Sequence, residues 1–258
     1  MNKIKKMAIT GRIFSAKAKN AVKKTLRILK KHNVAYEFDS NFQLEKSAKK
    51  LSSIKADMVI VFGGDGSLLY AVHNLKNKIP VLGINCGNRG GLMAFNEKEI
   101  AKKLPKVLDG KYKIENRMKI SIVADGKLIG EALNEVLVAP EKPGRLVRYT
   151  LNINGKAKGR EADDGLIIAT PTGSTAHAYS AGGPVISEKR NAFVVVRLNP
   201  LDRKKKPFVV KNSSRIEVKD LLHAKLQAVL DGHYLFEFRK NLKVKKGNSV
   251  VLVRVPIK

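Results

Sequence analysis

Val59–Leu69 reads VIVFGGDGSLL, an apolar run that ends in Gly63-Gly64-Asp65-Gly66 and passes straight into Ser67, Leu68 and Leu69. The run from Met58 to Phe62 is too short for a helix and is bounded by glycines, which predicts a buried strand of a parallel sheet. From Ser67 to Leu75, the positions Leu68, Leu69, Val72 and Leu75 fall on one helical stripe, so a helix follows the turn. In an open α/β sheet the mouth of such a strand–turn–helix unit is the ligand crevice. Glycines let backbone amides approach an anion, and the helix start adds the positive end of a dipole, so phosphate oxygens suit this turn. Asp65 is the odd member. A carboxylate beside phosphates makes sense where it holds Mg2+ or accepts a proton, and phosphoryl transfer needs that combination. An ordinary tight βα turn with Asp65 as the helix N-cap is the competing account of the same residues.

The pattern extends in both directions. Pro80–Ile84 reads as the next strand; upstream, Met7–Ile9 and Val34–Phe38 are strand-like and flank a helix over Ala16–Lys31 with Ala18, Val22, Leu26 and Leu29 on its apolar face. Alternation of this kind predicts an α/β N-terminal domain, a parallel sheet with flanking helices. From about Lys113 strands follow one another across short polar turns: Met118–Ala124, Gly130–Val138, Val147–Ile153 and Gly165–Thr170, then Ala192–Arg197, Arg215–Val218, Lys225–Leu230 and Val250–Val255. That is the texture of an antiparallel, β-rich C-terminal domain. Glu99–Gly110 looks like a helix and a turn, so the boundary is set there: residues 1–98 for the α/β domain with the GGDG turn, 99–258 for the β-rich one. Asp202–Lys206 (DRKKK) reads as an exposed basic loop rather than a binding patch.

Composition narrows the function classes. The 258 residues carry 51 Lys+Arg against 22 Asp+Glu, a net charge of +29 that predicts anionic partners or a lysine-rich surface of the kind found in some high-temperature proteins. Six per cent aromatic residues and no Trp give little for stacking single-stranded bases, and nucleic acid is not an expected partner. No apolar stretch approaches the roughly eighteen residues that span a bilayer, and the opening MNKIKKMAITGRIF is broken too early for a secretory signal. A cytoplasmic protein with no membrane partner is expected. Cys86 is the single cysteine and supplies neither a disulfide nor a thiolate metal cluster.

Two further segments bear on chemistry. Asp163–Ile186 runs DDGLIIATPTGSTAHAYSAGGPVI, a strand emptying into Thr170, Thr172, Ser174 and Thr175, then a short small-residue helix and a Gly-Gly-Pro turn. Such hydroxyls and glycines suit hydrogen bonding to a polar ligand that approaches the backbone, and a capping segment with spare hydroxyls is the plainer account. Leu133–Val138 (LNEVLV) sets Asn134-Glu135 inside an apolar run. Buried there, an amide and a carboxylate need partners, which a ribose diol would supply; a structural turn at a strand end is the alternative.

GGDG at Gly63–Gly66, GINCGNRGGL from Gly83, Asn134-Glu135, TPTGSTA at Thr170–Ala176, SAGGP at Ser180–Pro184 and Asp231-Gly232 resemble, in order and separation, the NAD kinase family over nearly the whole chain. GGDG alone is shared with phosphofructokinases and lipid kinases, and a lipid or sugar kinase is the alternative it leaves. The threonine-glycine segment together with the Asn-Glu pair is the specific part. The resemblance implies phosphorylation of the 2′-hydroxyl of the adenosine ribose of NAD to give NADP, with ATP, another nucleoside triphosphate or polyphosphate as donor, aided by Mg2+ or another divalent cation. By matching positions, Asp65 would accept the proton and Gly66 would lie against the dinucleotide. Asn134 and Glu135 would bind its adenosine part, and Asp164 would face a ribose or base edge. Thr172, Thr175, Ala176, His177, Ala178, Tyr179 and Ser180 would wrap the substrate; Tyr70, Arg145 and His233 stand where similar proteins touch it. Gly63 and Gly64 would cradle the donor phosphates. The family further implies an active site in a cleft between the two domains, and a homodimer or homotetramer. This sequence departs from the family at His177, where Tyr is usual, at Gly91, where a bulky Phe is common, and at His233, where Gln is frequent; it also ends at a strand near Ile257.

Overall fold

A computed structural model describes residues 3–12, 15–42, 48–75, 78–88, 90–219 and 225–256. Its contacts divide the chain into two units, Met1–Asn116 with Val250–Lys258, and Arg117–Ser249. Ile257 lies outside the described residues. Among them no helix is long and apolar enough to cross a membrane.

The first unit contains β1 (Lys6–Gly11), α1 (Ala16–Lys31), β2 (Ala35–Phe38), β3 (Met58–Gly63), α2 (Asp65–Asn74), β4 (Val81–Asn85), the two-residue β5 (Phe95–Asn96) and α3 (Ile100–Leu108). Its strands run β2-β1-β3-β4, all parallel, with β5 also beside β4. Helix α1 starts at Ser15, whose hydroxyl accepts the Ala18 N–H, and buries Ala18, Ala21, Val22 and Leu29 while its lysines face outward. The chain leaves β1 toward β2 on one side and returns to β3 on the other. The strand order therefore reverses between β1 and β3, and in an open α/β sheet ligands bind outside the carboxyl ends of the strands at such a point. The glycine turn after β3 occupies that end.

Helix α3 belongs to the same core. Its Ile100, Leu104, Val107 and Leu108 pack with Met7, Ile60, Phe62 and Leu82, so the division lies beyond the boundary expected after residue 98. The chain's last strand differs from expectation as well. Leu252 pairs in parallel with Val81, and Val253 and Val255 enter the first core, so Val250–Val255 completes the α/β unit rather than the β-rich one.

The second unit is built from β6 (Lys113–Ala124), β7 (Lys127–Ala132), β8 (Glu135–Pro140), β9 (Val147–Ile153), β10 (Lys156–Asp163), β11 (Gly165–Ala169), α4 (His177–Ser180), β12 (Ala192–Leu198), β13 (Phe208–Lys211), β14 (Ile216–Lys219), β15 (Leu226–Leu230), β16 (Tyr234–Phe238) and the first part of β17 (Leu242–Arg254). One antiparallel sheet runs β13-β12-β11-β8-β15-β16; the other antiparallel pairings run β10-β9-β14-β17, with the β6–β7 hairpin attached. Ile122, Val136, Leu151, Ile168, Phe193 and Ile216 meet in one core between these layers. The opposite face of β11 and β12, with Ile167, Val194 and Val196, is covered by Ala178 of α4 and by Ile186. The single strand expected over Gly130–Val138 is two strands, because the N–H groups of Leu133, Asn134 and Glu135 turn away to the Asp231 carboxylate.

Candidate active site

At the mouth of the parallel sheet, Gly63 ends β3 at φ +144, and a Cβ there would lie 2.2 Å from the Ser67 hydroxyl oxygen, so only glycine fits. Gly64 is the N-cap of α2, with no side-chain cap, and Asp65 is the first helical residue. Its carboxylate is therefore not the helix cap. Oδ1 accepts the Leu92 N–H at 2.9 Å and Oδ2 the Gly91 N–H at 3.0 Å. The first-turn N–H groups of a helix have no partner within it, so the start of α2 offers donors beside a carboxylate that is already fixed. Asp65 and Gly66 are half-buried. Tyr70, one turn on, accepts an N–H of Asn41 through its hydroxyl.

The loop that holds Asp65 is the GINCGNRGGL stretch. It is tied to the sheet by the Cys86 N–H to the Gly63 carbonyl at 2.9 Å and the Ala94 N–H to the Gly83 carbonyl at 2.8 Å. Arg254, near the end of β17, braces it further: Nη1 donates to the carbonyls of Leu92 at 2.6 Å and Met93 at 3.0 Å, while Nε pairs with Glu115 at 2.8 Å. Sequence reasoning quoted Gly91 and Leu92 within the GINCGNRGGL motif without their hold on Asp65, and it missed Arg254. Backbone donors carry no side-chain signature, and Arg254 is 162 residues from the carbonyl of Leu92 that it holds.

In the second unit three segments form one knot. The Asp231 carboxylate accepts the N–H groups of Leu133 at 2.8 Å, Asn134 at 2.7 Å and Glu135 at 3.2 Å. The Asp231 N–H returns to the Glu135 carbonyl at 3.0 Å. Thr170 donates its hydroxyl to the Leu133 carbonyl at 2.6 Å and accepts the Gly173 N–H at 3.1 Å, and its own N–H meets the Asn134 carbonyl at 2.8 Å. Packing is tight enough that a Cβ on Gly173 would lie 2.0 Å from the Asn134 oxygen. Thr172 accepts a hydrogen bond from Arg117, which is also ion-paired with Glu188. His233 sits in the same turn as Asp231, with Nδ1 2.6 Å from the Asp231 carbonyl oxygen. Along the segment that follows, Ala178 is buried, Ala176 is half-buried, and Thr175, His177, Tyr179 and Ser180 are exposed.

Glu135 is the electrostatic anomaly of this knot. Its side chain is buried, at 5% exposure, and Oε2 has no hydrogen-bond partner among the described residues. Burial, reinforced by the neighbouring Asp231 charge, pushes its carboxyl from the usual 4.5 up to about 8. An orphaned buried oxygen is uncommon in proteins and calls for a missing partner. A carboxyl protonated at neutral pH both donates and accepts, which suits a sugar hydroxyl.

Two sequence-predicted residues lie elsewhere. Ala169 pairs with Glu135, and Leu166 with Val138, so Asp164 precedes β11 at the end away from Glu135. Arg145 lies in the connection after β8, at that same far end. A strand of five residues spans about 17 Å, too far for either side chain to share a hydroxyl with Glu135. Asp164 instead accepts an N–H of the Asn199 amide at 2.8 Å.

Comparison with known proteins assigns a family to both halves. Residues 5–112 match the ATP-NAD kinase N-terminal domain and residues 133–253 the ATP-NAD kinase C-terminal domain. An NAD kinase of Methanoculleus marisnigri is 35% identical over 223 residues, 86% of this chain and 82% of that protein. Among solved structures, an NAD kinase from Archaeoglobus fulgidus in complex with ATP superposes with a TM-score of 0.81 at 27% identity, over 96% of this chain and 92% of that one. The yeast NADH kinase complexed with NADH shares the fold, with a TM-score of 0.88 at 20% identity over 99% of this chain and 85% of that one.

Proposed function

The chain belongs to the ATP-NAD kinase family, and from that premise we propose that it transfers the terminal phosphoryl group of ATP to the 2′-hydroxyl of the adenosine ribose of NAD, giving NADP. A bond forms between the ribose oxygen and phosphorus, the bond from that phosphorus to the rest of the donor breaks, and the hydroxyl proton passes to Asp65. Gly63, Gly64 and the start of α2 receive the donor phosphates. Asn134 and Glu135 bind the adenosine part, and Thr172 and Thr175–Ser180 line the substrate. The observation that carries the reading is the Asp65 carboxylate, fixed by two backbone amides at the end of a parallel strand where the sheet order reverses. A lipid or sugar kinase sharing only the glycine turn is not favoured, because both halves of the chain match the one family.

A divalent cation would neutralise phosphate charge. Among the described residues no three His, Cys, Asp or Glu side chains cluster to hold a metal. That fits an ion carried mainly on the donor's phosphate oxygens, as Mg2+ commonly is, with at most one or two protein carboxylates. We place the enzyme in the cytoplasm and read it as a homodimer or homotetramer. In such an assembly Asp164 and Arg145, at the far end of β8 and β11, can serve a dinucleotide bound by another protomer. The test is direct: the protein incubated with NAD, Mg2+ and ATP yields NADP in a coupled dehydrogenase assay, and Asp65→Asn slows that yield about a thousandfold while its circular dichroism spectrum stays that of the wild type. No NADP from ATP or polyphosphate would overturn the reading.

A further inference from the structure

The basic loop at Asp202–Lys206 is not simply a solvated charge run. Together with the end of β12 and the residues after α4 it borders an open cavity of about 770 Å3 lined by Arg197, Arg203, Lys205 and Lys206, with no carboxylate on its wall. The other described cavities of this unit differ. One of about 800 Å3 includes Glu217, which pairs with Lys243, and one of about 260 Å3 includes Glu161, Asp163 and Asp202.

The cationic wall is built, not incidental. Arg197 is 9% exposed, lies over the Phe208 ring at 5.2 Å, and donates through Nε and Nη2 to the two oxygens of Glu161, each at 3.0 Å. Lys205 reaches the same carboxylate at 2.7 Å and the Arg160 carbonyl at 2.8 Å. The side chain of Glu161 has no exposure, so one buried negative charge is shared by two cations and cannot neutralise the others. Arg203 and Lys206 are exposed and have no ion-pair partner among the described residues. The loop carrying them is folded: Asp202 accepts the Lys204 N–H through its side chain at 3.0 Å and the Lys205 N–H through its carbonyl at 3.0 Å. Four positive groups around one cavity repel each other, and a multiply charged anion relieves that repulsion. The exposed Arg203 guanidinium adds a planar fork that matches phosphate oxygens, while the Arg197 fork is held by Glu161.

We infer that this cavity binds a linear phosphate chain, either inorganic polyphosphate or the triphosphate of a nucleotide. None of its residues is among those assigned above to NAD or to the proton transfer, and its binding requires no turnover. Isothermal titration of the full chain with sodium tripolyphosphate, without NAD or metal, tests it. Arg203→Ala/Lys206→Ala weakens tripolyphosphate binding about tenfold or more. The charge-matched Lys23→Ala/Lys24→Ala, on the exposed face of α1, changes it less than about twofold, since long-range exposed charge is screened at physiological salt. Tripolyphosphate held at the glycine turn of the proposed kinase site is the part that persists in Arg203→Ala/Lys206→Ala, which separates this inference from the kinase reading. Parallel titration with ATP distinguishes the sources: equal loss for both ligands in the Arg203/Lys206 variant assigns the site to phosphate chains in general, and loss for tripolyphosphate alone assigns it to the inorganic chain. Equal weakening by the two charge-matched pairs, or no weakening by Arg203→Ala/Lys206→Ala, overturns the inference.

Discussion

Two carboxylates are central to the proposed chemistry, and their surroundings are opposites. Asp65 is half-buried with each oxygen already accepting a backbone N–H. Glu135 is buried with an oxygen that no described group reaches and a carboxyl raised to about 8. The first group is held by its own chain before any ligand arrives, as a base that must meet a hydroxyl in one geometry requires. The second is left incomplete, as the proposed reading requires of a group that takes its partner from the bound dinucleotide. In that reading position is built into the α/β unit, and recognition is left unsatisfied in the β-rich one.

If that division is right, the two conservative amides separate in kinetics. Asp65→Asn keeps an acceptor for Gly91 or Leu92 but cannot take a proton, and lowers kcat about a thousandfold with little change in KM for NAD. Glu135→Gln retains the shape and both hydrogen-bonding senses, and raises KM severalfold with kcat nearly intact. Steady-state kinetics with NAD varied at saturating ATP check both. A large kcat loss from Glu135→Gln would dissolve the contrast.

The sequence made the positional half of this contrast easier to see than the rest. Met58–Phe62, the glycines and the stripe on α2 are local patterns, and the helix begins only two residues earlier than its apolar spacing suggests. Strands β10, β13 and β16 escaped: KAKGREAD in β10 is mostly exposed and lysine-rich, so it carries no alternation to read, and it is made a strand by pairing with β9. The return of Leu252 to Val81 and the grip of Arg254 on Leu92 link residues far apart in sequence, which no window of periodicity can reveal. In the second unit the Asn134-Glu135 pair was legible as out of place in an apolar run. The reason it lies at a strand break was not, since it depends on Asp231, 97 residues from Asn134.

A pair of glycines breaks or sharpens the same comparison in stability. Gly173→Ala drives a Cβ to 2.0 Å from the Asn134 backbone oxygen, and neither partner is a flexible side chain. A loss of about 3 kcal/mol or more is expected, read as a lower urea midpoint, with weaker NAD binding. Gly91→Ala places its Cβ 3.7 Å from the Asp65 carboxylate, an ordinary contact. It changes stability by less than about 0.5 kcal/mol and keeps turnover.

Acid–base linkage gives a third separation. Between pH 4.5 and about 8 the unfolded chain has released the Glu135 proton while the folded chain retains it. The unfolded state then binds fewer protons, so stability falls as pH rises through that window and levels off above it. Between pH 6 and 8 this group removes roughly 2 kcal/mol from the wild type. Glu135→Gln lacks that contribution, so the difference in Tm between variant and wild type grows in the variant's favour by about 5 °C over the same range. A pH-independent difference would mean that Glu135 is ionised in the folded protein throughout.

The smallest effect tests how Asp65 is held rather than what it does. Arg254 touches neither Asp65 nor the glycine turn in any bond described here, yet the carbonyl it grips belongs to Leu92, whose N–H holds Oδ1 of Asp65. Arg254→Met keeps an unbranched apolar stem and removes the donors to Leu92, Met93 and Glu115, so the loop loosens while both amides to Asp65 remain able to form. The expected result is a fall in kcat of about tenfold, equivalent to about 1.4 kcal/mol in the barrier, with KM for NAD within about twofold. Arg254→Lys recovers part of the loss, because an ammonium can still donate to the carbonyls but lacks the fork that also engages Glu115. A loop that serves binding instead would show the opposite split, KM rising with kcat preserved, and the support of Asp65 would then rest on its own two amides alone.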